Sequence, residues 1–447
     1  MISILSNRTY RHLLSAQIVA LIGTGLATVA LGLLAYDMAG GNAGAVLGTA
    51  LAIKMVAYIG VAPVVGAFAD RLPRRAFLFA MDMVRAGVAL LLPFVDQIWQ
   101  VYVLIFALQS ASAAFTPTFQ ATIPDILPDE ADYTRALSLS RLAYDLESLL
   151  SPMLAAVLLS VMSFHWLFAG TSVGFLASAL LVLSVALPRS PTKPRTGGIY
   201  AHTTRGIRIY LKTPRLRGLL AVNLAAAAAS AMVIVNTVVI VRDILGFGQR
   251  EVAFTLAAYG GGSMLAACVL PRLLDRSADR TIMLAAAAAL TIVLTVLALL
   301  TGDLRGHAEF WPLLLGGWFL LGIAYSMSIT PSGRLLRRSA GPSDRPAIFA
   351  AQFALSHACW LIAYPLAGQL GAKWSQQAAF GVLGGLAATG LVVALFVWPA
   401  HDPQTIEHDH EDLPDSHPHR LGETDEGGRH VHDFVIDDLH ATWPGRA

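Results

Sequence analysis

GAFADRLPRR at 66–75 and PRLLDRSADR at 271–280 are two polar stretches that decide how this chain is read. Each sets an aspartate, an arginine and, four residues further on, a second arginine between long apolar runs: Asp70, Arg71 and Arg75 in the first, Asp275, Arg276 and Arg280 in the second. A charge cluster that returns at the same place in each half of a chain marks an internal repeat.

Outward from these stretches, the apolar runs have the length of membrane spans, about 20 helical residues for a hydrocarbon core of roughly 30 Å. Six lie at 14–38, 45–68, 76–95, 99–121, 136–160 and 164–187, and six more at 219–241, 253–269, 281–301, 311–329, 347–370 and 377–398. The composition agrees: 55% of residues are hydrophobic and 13% charged, with a mean hydropathy of +0.61, outside the soluble globular range. The first run has about 25 residues and no small-residue cleavage site, so it reads as an uncleaved span rather than a signal peptide. Cys268 and Cys359 both lie in apolar runs and imply no disulfide framework.

Four segments follow: a six-helix bundle over 1–187, a basic linker over 188–218, a second six-helix bundle over 219–398 and a tail over 399–447. With the N-terminus cytoplasmic, the inner segments carry 24 Lys+Arg and the outer connections 4, leaving Lys54, Arg85 and Arg141 inside spans. This bias places both termini in the cytoplasm and the linker against anionic headgroups. Neither the basic body nor the acidic tail suggests nucleic acid as a partner.

The repeat resembles the signature of the major facilitator superfamily, Gly-x-x-x-Asp-Arg-x-Gly-Arg-Arg. The first copy matches at Gly66, Asp70, Arg71, Arg74 and Arg75, with Pro73 in place of the second glycine; the second copy lacks both glycines. The resemblance covers residues 10–398 and implies an all-α membrane protein, twelve helices in two six-helix bundles that rock about a central site. In that fold the second, fifth, eighth and eleventh spans line the contact between bundles. The repeated charges are expected to act as a conformational latch, since ion pairs at helix ends can exist in one packing and break in the other. Glu147, Ser151, Pro152, Ala155 and Ala156 occupy the positions of the family's exporter motif, every glycine of which has been replaced; ordinary close helix packing explains the small residues equally well.

An ionisable group at mid-bilayer costs a few kcal/mol on insertion scales, so each needs a partner or a task. Lys54 in the second span, Asp145 and Glu147 in the fifth and His357 in the eleventh are therefore candidates for a polar cavity in which cation binding and proton release compete. Asn223 and Asn236 either line that cavity or serve as interhelical donors. The alternatives are an i,i+4 pair of Asp145 with Arg141, a structural pair of Lys54 with a carboxylate, and an interhelical contact for His357. Asp37 reads as an interfacial residue, and Asp82 with Arg85 as an i,i+3 pair.

The tail holds eight of the thirteen histidines, His401, His408, His410, His417, His419, His430, His432 and His440, with twelve carboxylates and no Cys or Met. Imidazole and carboxylate suit Ni²⁺, Co²⁺, Zn²⁺ and Cu²⁺, and so acidic a segment is expected to be disordered without metal. The alternative is a solvated acidic tail whose histidines are incidental. A chain of this kind with such a tail resembles the bacterial nickel-resistance efflux permeases. The resemblance implies a monomeric inner-membrane antiporter that expels Ni²⁺, and also Co²⁺, in exchange for protons, with no permanently bound cofactor.

Two other readings stand beside it. One is an exporter of an organic solute, a siderophore or drug, whose central cavity would be apolar and aromatic and whose activity would survive loss of the tail. The other is a metal-responsive membrane sensor. No nucleotide-binding loop, nucleophile-base pattern or His-Glu-x-x-His points to an ATP-driven pump or an enzyme.

Overall fold

The computed structural model describes residues 2–68, 73–187, 199–301, 310–341, 344–402, 405–409, 429–437, 439–440 and 442–443. Its helices are α1 (Arg8–Ala39), α2 (Ala43–Phe68), α3 (Arg74–Leu91), α4 (Ile98–Ile126), α5 (Glu130–Leu159), α6 (His165–Leu183), α7 (Ile199–Lys212), α8 (Pro214–Val238), α9 (Gln249–Leu274), α10 (Asp279–Leu300), α11 (Phe310–Ile329), α12 (Ser332–Arg338), α13 (Arg345–Lys373) and α14 (Gln376–Val397). Two strands, β1 (Thr405–Asp409) and β2 (Arg429–Asp433), complete the chain. Twelve of these helices have 18 residues or more, α7 and α12 being the short ones. Among the described residues, ten segments are long and apolar enough to cross a membrane, and the first of them contains both α1 and α2. Helix α5 carries Arg141, Asp145 and Glu147, and many of its side chains, those of Arg141 and Asp145 among them, lie outside the described residues. It belongs to the site described below.

Helices α1–α6 pack among themselves, as do α8–α14, and the two groups meet through α2 against α13 and α5 against α9. Within the first group Asp82 and Arg85 form the i,i+3 ion pair expected from their spacing. Ser178 donates to Asp82 at 2.7 Å, and the Arg85 guanidinium lies 4.2 Å from the Phe115 ring centroid and 4.5 Å from that of Phe175. Pairing, hydrogen bonding and aromatic faces together compensate a charge pair that lipid cannot solvate.

In lipid there is little hydrophobic drive between helices, so close backbone approach has to supply the attraction. Along the α2–α13 seam, a Cβ on Gly44 would meet the Asn236 side chain and Gly368, and one on Gly48 would meet the carbonyl of Tyr364. Asn236 donates to the Ala367 carbonyl at 3.0 Å, which makes it an interhelical donor in this seam. Asp37 is more than interfacial: it pairs with Arg242 at 3.1 Å, joining the end of α1 to the wide π-helical turn Val239–Ile244 that continues α8. These contacts tie the two bundles together at the face opposite the termini.

The linker helix α7 is strapped along the start of α13. Arg205 pairs with Asp344 at 2.7 Å, the Tyr210 hydroxyl donates to Gln352, and Gly206 sits where any side chain would strike the Ala347 carbonyl. Burial, with Cys359 nearby, pushes the Tyr210 phenol well above its ordinary range, so it stays a neutral donor.

The expectation of a disordered tail needs correction. Strands β1 and β2 pair antiparallel, with His408 opposite His430 and Ile406 opposite His432. Phe434 and Ile436 are buried, and the Phe434 ring meets Trp443 at 5.1 Å and His440 at 4.7 Å. Arg215, at the start of α8 and fully enclosed, reaches Asp402 and the carbonyls of Arg338 and Phe434, each at 3.4 Å, and lies 5.0 Å from the Trp443 ring. The few apolar residues of 434–443 are enough to bury a small core because the second bundle supplies its other wall.

Candidate functional site

The glycine seam sets the height of every group at the centre. Helices α2 and α13 run antiparallel with Gly44 beside Gly368, Gly48 beside Tyr364, and Tyr58 against Phe353 and His357. Lys54 falls between the last two levels. From Ala43 it lies about 16 Å down α2 by helical rise, near the middle of a bilayer. Its ammonium has the Tyr58 ring centroid at 5.9 Å and, among the described residues, no hydrogen bond or contact ion pair. Tyr58 in turn stacks on the His357 ring at 5.3 Å with planes 6° apart. His357 Nδ1 lies 2.6 Å from the Phe353 carbonyl, which can only accept, so Nδ1 is the donor in this contact.

Glu147 approaches from α5. A Cβ on Gly25 of α1 would lie 2.9 Å from Glu147 Oε1 and would overlap Ser151, so the missing side chain at Gly25 is what lets α5 close on α1. Ala155 and Ala156 are buried further along the same helix. The small residues of the altered exporter motif thus serve helix approach. Lys54 and Glu147 feel each other's charge through space without forming a contact pair. Both are partly accessible. Replacing Gly25 with valine should push α5 away from α1 and reduce both transport and the thermal midpoint of the purified protein, whereas Gly87→Val, where an added Cβ meets nothing within 4 Å, should change neither.

The second bundle contributes aromatic faces. Gly262 and Gly322 leave room for the carbonyls of Phe319 and Tyr259, so α9 and α11 touch backbone to backbone. That contact brings Tyr259 and Tyr325 to 5.9 Å; Tyr325 meets Trp360 at 6.4 Å, and Trp360 meets Tyr364 at 5.0 Å. The Tyr259 hydroxyl is hydrogen-bonded to Ser230. Sequence reasoning passed over all four aromatics because each sits in an apolar run of its own helix, where an aromatic residue is unremarkable. Their one legible signal was position on the eighth, tenth and eleventh spans.

Beside Lys54, inside the first bundle, is a cavity of about 20 Å³ lined by Thr24 and Thr28 of α1, Leu51 and Lys54 of α2, and Leu108 and Gln109 of α4, among others. Gln109 is 7% exposed, and among the described residues its Oε1 has no hydrogen-bond partner.

The other expected residues fall elsewhere. Asn223 is buried in α8. Asp70 and Arg71 lie outside the described residues, as do the side chain of Asp145 and the surroundings of Gly66. Arg74 pairs with Asp125 at the end of α4, and Arg75 donates to the carbonyl of Leu183 at the end of α6. Asp275 and Arg276 are exposed, and Arg280 donates to the carbonyl of Trp398 at 3.0 Å. Among the described residues, these contacts of Arg74, Arg75 and Arg280 each join elements of one bundle. Asp279, which holds the repeat position of Arg74, pairs with Arg334 at 2.9 Å, so the two halves build the same corner with the charges exchanged. That pairing was missed because the motif was aligned on its identical residues.

Of the tail histidines, His401 is exposed and His440 is buried, its Nδ1 2.9 Å from Asp437. His408, His430 and His432 lie on the two strands, their side chains outside the described residues, as are His410, His417 and His419 altogether. Among the described residues no three His, Cys, Asp or Glu side chains gather into a metal-holding group.

Comparison with known proteins adds the following. The Major Facilitator Superfamily model matches residues 13–239 and 219–417. The chain is similar to the uncharacterized MFS-type transporter YfiS of Bacillus subtilis (strain 168), 23% identical over 218 residues, 47% of this chain and 51% of that protein. It is also similar to macrolide efflux protein A of Enterococcus faecalis, 25% identical over 153 residues, 32% of this chain and 47% of that one. The chain thus spans about half the length of the curated relatives it matches. Among solved structures, the nucleoside transporter NupG superposes with a TM-score of 0.65 at 12% identity, covering 88% of this chain and 100% of that one. An auto-inhibited POT family peptide transporter gives 0.66 at 13% identity over 87% and 96%. These two likenesses concern the fold.

Proposed function

Because the chain belongs to the Major Facilitator Superfamily, we propose that it is a secondary transporter that expels an organic solute through the seam between its bundles. The observation that carries this reading is the aromatic wall of Tyr259, Tyr325, Trp360 and Tyr364 on the second bundle. Apolar faces with a few convergent polar groups suit an organic molecule. A bare transition-metal ion needs several imidazole, carboxylate or thiolate ligands around one point. The described centre offers Glu147 and His357 on separate helices. Similarity to a macrolide efflux protein over 153 residues agrees with an organic cargo.

In this reading the termini and basic linker face the cytoplasm of a bacterial inner membrane, the protein works as a monomer among its lipids, and protons entering through Glu147 drive the exchange. Nickel or cobalt efflux is the competing reading, supported by the composition of the tail. Expression in a host lacking its own drug exporters separates them. We expect raised resistance to macrolides or other amphipathic drugs, lost in a Tyr259→Ala, Trp360→Ala double variant. Tolerance of nickel and cobalt salts should be unchanged. Raised nickel tolerance with no change for any organic compound would overturn the proposal.

A further inference from the structure

Lys54 is near two quite different sets of oxygens. One is the carboxylate of Glu147, to which it is coupled through space. The other belongs to the cavity of about 20 Å³ that Lys54 lines together with Gln109. That volume suits a single water or an ammonium head and is far too small for a drug-sized molecule. Its walls carry three acceptors. Gln109 Oε1 is enclosed and has no hydrogen-bond partner among the described residues. The hydroxyls of Thr24 and Thr28 each donate to a carbonyl of α1 at 3.0 Å, which leaves both oxygens able to accept. A lysine ammonium has three donors and no acceptor. Three acceptors therefore match three donors, in a cavity that Lys54 already lines.

Taking the organic-solute reading as its basis, we propose that the solute is an organic cation and that Lys54 is a tethered ammonium holding the solute's place at Glu147. When the solute's charge arrives at Glu147, Lys54 withdraws into the Gln109 cavity, where Thr24, Thr28 and Gln109 receive its three N–H groups. The cation's body then rests on the faces of Tyr58, Tyr325 and Trp360, whose ring quadrupoles attract positive charge. Glu147 thus has a positive group beside it whether the site is filled or empty, and the withdrawn ammonium, which keeps its charge, is held by hydrogen bonds to three neutral acceptors.

Equilibrium binding to the full-length chain in detergent tests this, with tetraphenylphosphonium as the charged probe and chloramphenicol as the uncharged one. Lys54→Ala removes the internal competitor and should tighten tetraphenylphosphonium binding roughly tenfold. Gln109→Leu fills the cavity and removes an acceptor. It should weaken binding by a similar factor when Lys54 is present and have no effect in the Lys54→Ala background. Weaker binding in Lys54→Ala, or a Gln109→Leu effect of equal size in both backgrounds, would refute the proposal. If only chloramphenicol binds, the cation assignment fails while the organic-solute reading stands. If neither probe binds wild type or Lys54→Ala, that reading fails first and takes the inference with it.

Discussion

Changing Glu147 to glutamine should lower the initial rate of drug efflux at least about tenfold, the effect of losing a single interaction of ~1.4 kcal/mol in the rate-limiting state. The amide keeps the shape that packs beside Gly25 and Ser151, so the protein should still reach the membrane and melt at the wild-type temperature. What is removed is a negative charge within reach of Lys54 and the capacity to release a proton. An ionisable group at this depth is costly to keep. Rates measured in vesicles and normalised to protein content decide the matter. A Glu147→Gln rate within twofold of wild type would remove Glu147 from the transport cycle.

Removing 399–447 should destabilise the chain by about 3–5 kcal/mol, the usual cost of stripping the partner from an enclosed charge. Arg215 would lose Asp402, the Phe434 carbonyl and the Trp443 face together, and Arg338 would lose its bond to Asp402. A narrower deletion should be harmless. Asp409 and Arg429 are paired across the ribbon, so residues 410–428 can be replaced by a two-residue Asn-Gly turn that closes the hairpin directly. Thermal melting of the two purified variants checks the contrast. Equal midpoints would mean that the docked segment adds nothing to stability. The comparison also bears on the tail's histidines, because the short-turn variant lacks His410, His417 and His419 while keeping the docked residues. Loss of activity on full truncation is thus no evidence for a metal-handling tail.

Much of the centre was legible because charge in an apolar run stands out. Lys54, Glu147 and His357 were singled out by depth alone, and the fold brings them around the α2–α13 and α5 contacts. Gln109 was not, since one uncharged amide in a span is common, and its meaning lies in an oxygen that no neighbour satisfies. The docked part of the tail was hidden by averaging. Twelve carboxylates over 49 residues read as disorder, while Phe434, Ile436 and Trp443 are too few to suggest a core until Arg215 and the base of α8 cover them.

Hydrophobic run length and the repeated Asp-Arg cluster settle, from the primary structure alone, that the chain is a set of membrane helices in two related halves, because lipid forces every backbone polar group to be satisfied within its own helix. Which side chains meet at the centre is a different kind of fact. It depends on where Gly44, Gly48, Gly262 and Gly322 allow backbones to touch and where Gly25 makes room for the side chains of α5, and those approaches set the relative height and rotation of helices far apart in the chain. The aromatic wall and the cavity beside Lys54 exist only once that packing is made, so they belong to the tertiary structure.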